Sequence, residues 1–137
     1  MTRITDIKPG DLLPEREFKT DIVEQFLYNA ALWNPHRIHF DHPYATEVEG
    51  YPGMVVAGPL KGDWLTQCVL EWLGNDGQLL SFEYSNRKAA FVGEVLRSGG
   101  EVLSVEPDSG KVKLQVQITN EAGESIAPGT ALVQFQQ

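Results

Sequence analysis

Cysteine is nearly absent. Cys68 stands alone, which excludes an internal disulfide and a thiolate zinc site and makes a reducing cytoplasm the expected compartment. Long apolar runs are missing as well: nothing approaches the roughly 18 residues of a membrane span, and residues 1–6 carry no apolar signal-peptide core. Positive charge is scarce, with 11 Lys and Arg against 19 Asp and Glu, a net charge of −8 and a pI near 4.8. The densest basic stretch is Arg87-Lys88, so neither nucleic acid nor an anionic membrane is an expected partner. Repeats, low-complexity runs and linkers are lacking too, and 137 residues fit one domain, 1–137. What is present, 42% hydrophobic and 9% aromatic residues, suffices to bury a core without a metal or disulfide.

Two segments have helical periodicity. In residues 21–33, Asp21 and Glu24 have capping-box spacing, with Thr20 an equally good cap. Ile22, Val23, Phe26, Leu27, Ala30 and Ala31 repeat on one face, and Asn34-Pro35 ends the run. In residues 59–73, Leu60, Trp64, Leu65, Cys68, Val69 and Trp72 make a broad apolar face suited to burial against a sheet, stopped by Gly74-Asn75. Lys61, Asp63, Gln67 and Glu71 are expected away from that face. Beyond Gly74 the pattern is β: residues 79–91, 94–105, the alternating Val112-Leu114-Val116-Ile118, and 125–135 with an expected irregularity at Pro128-Gly129. Residues 107–110 and 120–123 are turn clusters, and Gly99-Gly100 reads as another turn. Helices followed by an antiparallel meander make an α+β domain, one long helix wrapped by the sheet.

Residues 33–53 have no period yet hold all three histidines and three prolines. A non-periodic stretch of this length in a small domain is expected to be functional or to contain short helical turns. Three histidines without a second ligand cluster, and without helical i, i+4 spacing, point away from metal. His36 and His42 are read as structural, Arg37 as a partner for Asp41 or for a substrate carboxylate or phosphate, and Tyr44 as a packing or pocket-lining residue.

The run Trp33-Asn34-Pro35-His36-Arg37-Ile38-His39-Phe40-Asp41, with Ala45 and then Glu49-Gly50-Tyr51-Pro52-Gly53, resembles the active-site segment of MaoC-like (R)-specific enoyl-thioester hydratases and dehydratases. It is most similar to the branch of mesaconyl-CoA hydratases and mitochondrial 3-hydroxyacyl-thioester dehydratases. Val55-Val56-Ala57-Gly58 resembles the family's entry into the central helix, and Ala90-Phe91-Val92-Gly93-Glu94 its strand-and-turn segment. The resemblance implies a single hotdog domain, an acyl-CoA or acyl-carrier-protein substrate and no cofactor. It implies His39 and Asn34 as catalytic residues; Gly58, Val56, Tyr44 and Arg37 as substrate or oxyanion contacts; and Thr66 and Asp41 in support. Asn34 stands where better-known hydratases carry an acid. Members of the branch are typically double-hotdog chains, which implies a partner here, either a second copy or a homologous chain.

Those residue types suit the chemistry. Hydration of an enoyl thioester needs a base for water, an acid for Cα and a donor for the enolate oxygen. His39 shuttles a proton near neutral pH. The Asn34 amide orients water without acting as a base. Gly58, without a Cβ and at a helix N-terminus, offers a backbone N–H to the oxygen, and Thr66 is expected to hydrogen-bond Asn34. Two other readings stand beside this one: a hotdog thioesterase using Asp63 or Glu71, and a subunit active only with a second chain.

Overall fold

The computed structural model describes residues 4–137. A 3-10 turn at Ile4–Asp6 leads into strand β1 (Leu12–Phe18), and helix α1 (Ile22–Ala31) follows. After a loop with two short helical turns comes helix α2 (Gly58–Leu73), then β2 (Gly77–Tyr84), β3 (Leu96–Glu106), β4 (Lys111–Thr119) and β5 (Ser125–Phe135). The five strands form one antiparallel sheet in the order β1-β3-β4-β5-β2, curled around α2. This is the α+β hotdog layout, with one long helix as its filling.

Alternation decides which face of the sheet is the core. Val112, Leu114, Val116 and Ile118 of β4 are fully buried, as are Leu65 and Val69 of α2, while Gln115 and Gln117 between them face out. Each such side chain contributes about 1.5–3 kcal/mol by leaving water. Phe18 of β1 stacks on Trp64 at 4.3 Å, and Trp72 meets Phe135 edge-on at 5.6 Å, so Trp64, Cys68 and Trp72 belong to the core or its margin.

Helix α2 begins where Ala57 leaves helical geometry, with Pro59 in the first turn, where its missing N–H is harmless. It ends at Gly74, whose φ of 60° lets its N–H reach the Leu70 carbonyl at 2.9 Å. Gly62 is required by a close approach: a Cβ there would meet the Tyr84 ring at about 2.5 Å. Tyr84 closes over this turn and donates its hydroxyl to the Gly58 carbonyl at 3.3 Å.

Several sequence expectations are corrected. A strand, β1, precedes the first helix, and it pairs with β3 at the sheet edge. Pro14 and the Glu15-Arg16-Glu17 run hid it, and the same residues blunt the edge against further pairing. The strand expected over 79–91 ends at Tyr84, and Gly99-Gly100 lies inside β3, opposite Gln117 and Val116, not in a turn. Pro128-Gly129 sits in regular register with β4; the β4–β5 irregularity falls between Ile118 and Thr119. Pro128 is tolerated in this interior strand because β2 ends beside it, and its carbonyl accepts from the loop N–H of Ser85 at 3.0 Å.

Helix α1 departs furthest. Asp21 caps it as expected, accepting from the Glu24 N–H at 2.8 Å. Its apolar face, however, points outward: Ile22, Val23, Phe26 and Leu27 are exposed, and Gln25 and Asn29 are the buried pair. Lys61 reverses in the same sense, with only 2% of its surface exposed.

Candidate active site

The loop between α1 and α2 is held by backbone hydrogen bonds that bring its ends together. The helix stops in a Schellman turn: Trp33 N–H reaches Ala30 O at 3.2 Å and Asn34 N–H reaches Asn29 O at 2.9 Å, with Trp33 at φ 56°. Asn34 Oδ1 then accepts from His36 N–H at 3.1 Å, and the His36 ring caps the 3-10 turn Arg37–His39 through the Ile38 N–H. Ile38 O receives the Val55 N–H at 2.9 Å, which lays the histidine turn against the approach to α2. The second turn, Tyr44–Val48, buries Ala45.

His39 is 7% exposed, and its Nδ1 lies 2.7 Å from the Val55 carbonyl. A carbonyl only accepts, so Nδ1 carries the proton and Nε2 is left with its lone pair, the tautomer a general base needs. Burial holds the imidazole pKa below its ordinary value; the Val55 bond opposes this, and the charges of His36 and Lys61 add to the lowering. Lys61 itself is held below the usual lysine range by burial, its ammonium meeting the Lys88 carbonyl at 3.4 Å.

Three residues beyond Val55, whose carbonyl holds the His39 ring, lies Gly58, at the far end of the segment Val55-Val56-Ala57. Ala57 caps α2 without a side-chain bond, and Pro59 has no N–H. The Leu60 and Lys61 N–H groups turn back to Ala57 O at 3.2 and 3.4 Å. The first N–H of α2 is thus that of Gly58, at the positive end of the helix dipole.

The other expected site residues are placed less directly. Val56 is core: its side chain is buried and its N–H is bonded to Ala90 O at 2.8 Å, so it is no oxyanion donor. Arg37 grips Asp41 through Nε at 3.0 Å and Nη2 at 2.8 Å and lies 4.3 Å over the Tyr44 ring. Asp41, held below the usual carboxylate range by that guanidinium, also accepts from the Tyr44 N–H at 3.2 Å. Tyr44 donates its hydroxyl to Glu49 at 3.0 Å. Arg37, Asp41 and Tyr44 therefore brace the loop together. Thr66 does not bond Asn34; its hydroxyl donates to Gly62 O one turn back, at 3.0 Å. The carboxylates a thioesterase would draw on are engaged: Asp63 accepts from the Tyr28 hydroxyl at 2.7 Å and Glu71 pairs with Arg16.

Sequence reasoning missed Gln25. Its side chain is fully buried, donates to His39 O at 3.0 Å and to Val55 O, and accepts from Ala57 N–H at 3.0 Å. Nothing in the apolar repeat of this helix marks a glutamine between the apolar positions as the inward-facing residue. A cleft of about 300 Å³ on the sheet surface away from α2, lined by Glu15, Arg97, Gln115 and Thr119, touches none of these residues.

The profile of the hydroxyacyl-thioester dehydratase type 2 family matches residues 5–92, which carry the histidine loop and the entry to α2. The chain belongs to that family. Similarity to a mesaconyl-C(4)-CoA hydratase of Chloroflexus aurantiacus reaches 60% identity over 35 residues, 26% of this chain and 12% of that protein. Matched stretches cover 12% and 24% of the lengths of the first two curated relatives, so the dehydratase-family chain spans a fraction of each. An (R)-hydratase from A. caviae involved in PHA biosynthesis shares the fold, with a TM-score of 0.85 at 19% identity, over 95% of this chain and 98% of that one. So does a chain of the ChsH1-ChsH2 complex from Mycobacterium tuberculosis, with a TM-score of 0.82 at 18% identity, over 94% and 98%.

Proposed function

We propose that this chain adds water across the double bond of an enoyl thioester carried on CoA or an acyl-carrier protein, or runs the same reaction backwards on the 3-hydroxyacyl thioester. The observation that carries the reading is the His39–Val55 bond. It fixes the tautomer with Nε2 basic and mounts the ring on the segment that ends at the Gly58 N–H. His39 Nε2 takes a proton from water as the oxygen bonds to Cβ. The electron pair of the double bond moves to the thioester, and the enolate oxygen is held by the Gly58 N–H. The imidazolium then returns its proton to Cα, so one water is consumed and His39 ends neutral. A well-aligned oxyanion donor is worth about 3–4 kcal/mol of barrier. Asn34, with Oδ1 committed to the loop, has its Nδ2 left to orient the water.

The family membership and the hydratase names among relatives and fold neighbours support the same reaction class. The test is loss of enoyl absorbance with short, branched and bulky enoyl-CoAs. Turnover that disappears in His39→Ala while the fold is kept supports the reading, and a variant that stays active sinks it.

A second reading, that activity needs a second hotdog domain, is favoured by the outward apolar face of α1 beside the active loop. The neighbouring ChsH1-ChsH2 structure is itself a complex of two chains. We propose that this face meets a second hotdog domain, of the same chain or a homologue. An active species of twice 15.2 kDa in sedimentation would identify the chain as its own partner. The single buried cysteine favours a reducing compartment such as the cytoplasm.

A further inference from the structure

We infer that Gln25 is a positioning residue that couples the base to the oxyanion donor: one buried amide sets the backbone of His39, the carbonyl that aims its ring, and the residue before Gly58 relative to one another. The inference rests on the acid–base reading of His39 and on four contacts. Gln25 Nε2 donates to His39 O at 3.0 Å and to Val55 O, and Oε1 accepts from Ala57 N–H at 3.0 Å. The fourth is the Nδ1–H of His39 on the same Val55 oxygen, at 2.7 Å.

Only an amide fits this place. It must give two protons to carbonyls and take one from an N–H, and a carboxylate or an aliphatic side chain cannot do both. The Val55 oxygen uses both lone pairs, one for Gln25 and one for His39, so the carbonyl cannot swing without breaking a bond made from α1. Helix α1 thereby acts as a jig. Its inward glutamine joins two stretches of chain 14 and 32 residues away, and these carry the base and the enolate donor. Gln25 has no exposed surface and so acts through His39 and Ala57. A misplacement near 1 Å is enough to cost about 100-fold in rate.

The experiment uses the full chain with Gln25→Met, which keeps the shape and loses every bond, and Gln25→Glu, which keeps the Ala57 bond. Crotonyl-CoA serves as the probe substrate and His39→Ala as the control. The expected result is a kcat about 100-fold lower in Gln25→Met with KM within twofold of wild type. The charged and titratable groups that act on His39 are His36 and Lys61, which both variants leave in place. Ring ¹⁵N NMR is expected to show His39 as the Nδ1–H tautomer in wild type and as a tautomer mixture, titrating at higher pH, in Gln25→Met. Should Gln25→Met fail to fold, Gln25→Glu carries the test. Protonation restores one donor, so its kcat relative to wild type must rise as pH falls.

Folded variants with an unchanged His39 tautomer and titration, or a flat Gln25→Glu ratio, overturn the inference. An active His39→Ala variant overturns the acid–base reading instead, and the NMR result then still decides whether Gln25 sets the ring.

Discussion

The Val55 carbonyl receives the ring N–H of His39 at 2.7 Å, two residues before the cap of α2. Sixteen residues separate the two in sequence, and the bond makes the approach to the helix the mounting of the imidazole. In the proposed mechanism the Gly58 donor and the His39 base are thus carried by one short segment. That suits a reaction in which proton transfer and enolate stabilisation occur together.

His39→Ala is expected to lower kcat about 10²–10⁴-fold, the usual span for loss of a positioned acid–base group. Because burial holds the imidazole pKa below its ordinary value of 6.5, the acid limb of kcat/KM against pH should fall below 6.5. The sign for stability follows. The unfolded chain binds the His39 proton more readily than the folded one, so this contribution is fully present above pH 6.5. It is lost as pH falls through the lowered folded value. Chemical denaturation from pH 8 to 5 should show wild type losing this increment and His39→Ala not losing it.

Lys61→Met tests a second buried titratable group. The ammonium has left water for a single carbonyl contact at 3.4 Å, and its pKa is lowered by burial. An apolar side chain of similar length should stabilise the chain at neutral pH by about 1 kcal/mol or more. The gain should shrink as pH rises towards 10.5, where the unfolded lysine also loses its proton. Removing this charge also removes one of the influences that lower His39, so the acid limb of the rate profile should move up. Urea melts and a pH–rate profile on the same variant check both.

Gly62→Ala is expected to destabilise by about 1–3 kcal/mol, the range for overpacking a close contact. The new Cβ would land about 2.5 Å from the Tyr84 ring, which is rigid, stacked on Phe82 at 5.6 Å and tied to Gly58 O. Gly58→Ala meets only the Asn86 amide tip, which can turn away, so its stability loss should be smaller. A crowded N–H should instead appear as a lower kcat. Thermal melts and crotonyl-CoA kinetics on the pair separate packing from catalysis.

What was legible in the sequence was whatever local chemistry decides. Asp21 as a cap, Gly74 as a stop, the alternation of β4 and the turns at 107–110 and 120–123 all follow from neighbouring residues. What was hidden depends on partners far along the chain. β1 is a strand only because β3 pairs with it, Glu17 facing Arg97 across 80 residues. The apolar repeat of α1 was read correctly as a helix, but periodicity says nothing about which neighbour a face meets. Here the glutamine faces in and the phenylalanine out. The site divides in the same way. His39 and Gly58 were proposed from residues that resemble a family, and the structure sets them at the two ends of the segment from Val55 to Gly58. The expected Thr66–Asn34 contact is not made, because a helical threonine has a nearer acceptor in Gly62 O.

Trp33→Gly separates the cost of the active loop's entry from its use. Trp33 sits at φ 56° in the C′ position of a Schellman turn, where glycine is the usual occupant, and 92% of its surface is exposed. A bulky side chain held left-handed costs about 1–2 kcal/mol, against which glycine's extra unfolded freedom costs about 0.5–1. The substitution should therefore leave the monomer more stable, by a few tenths to about 1 kcal/mol in a urea melt. A strained and exposed tryptophan at the end of the helix that turns Phe26 and Leu27 outward is explained if this surface is covered by a second hotdog domain, and the same variant should then associate more weakly. Sedimentation equilibrium on the two proteins decides: higher stability with weaker association supports the covered face. Higher stability with unchanged association puts the second domain elsewhere.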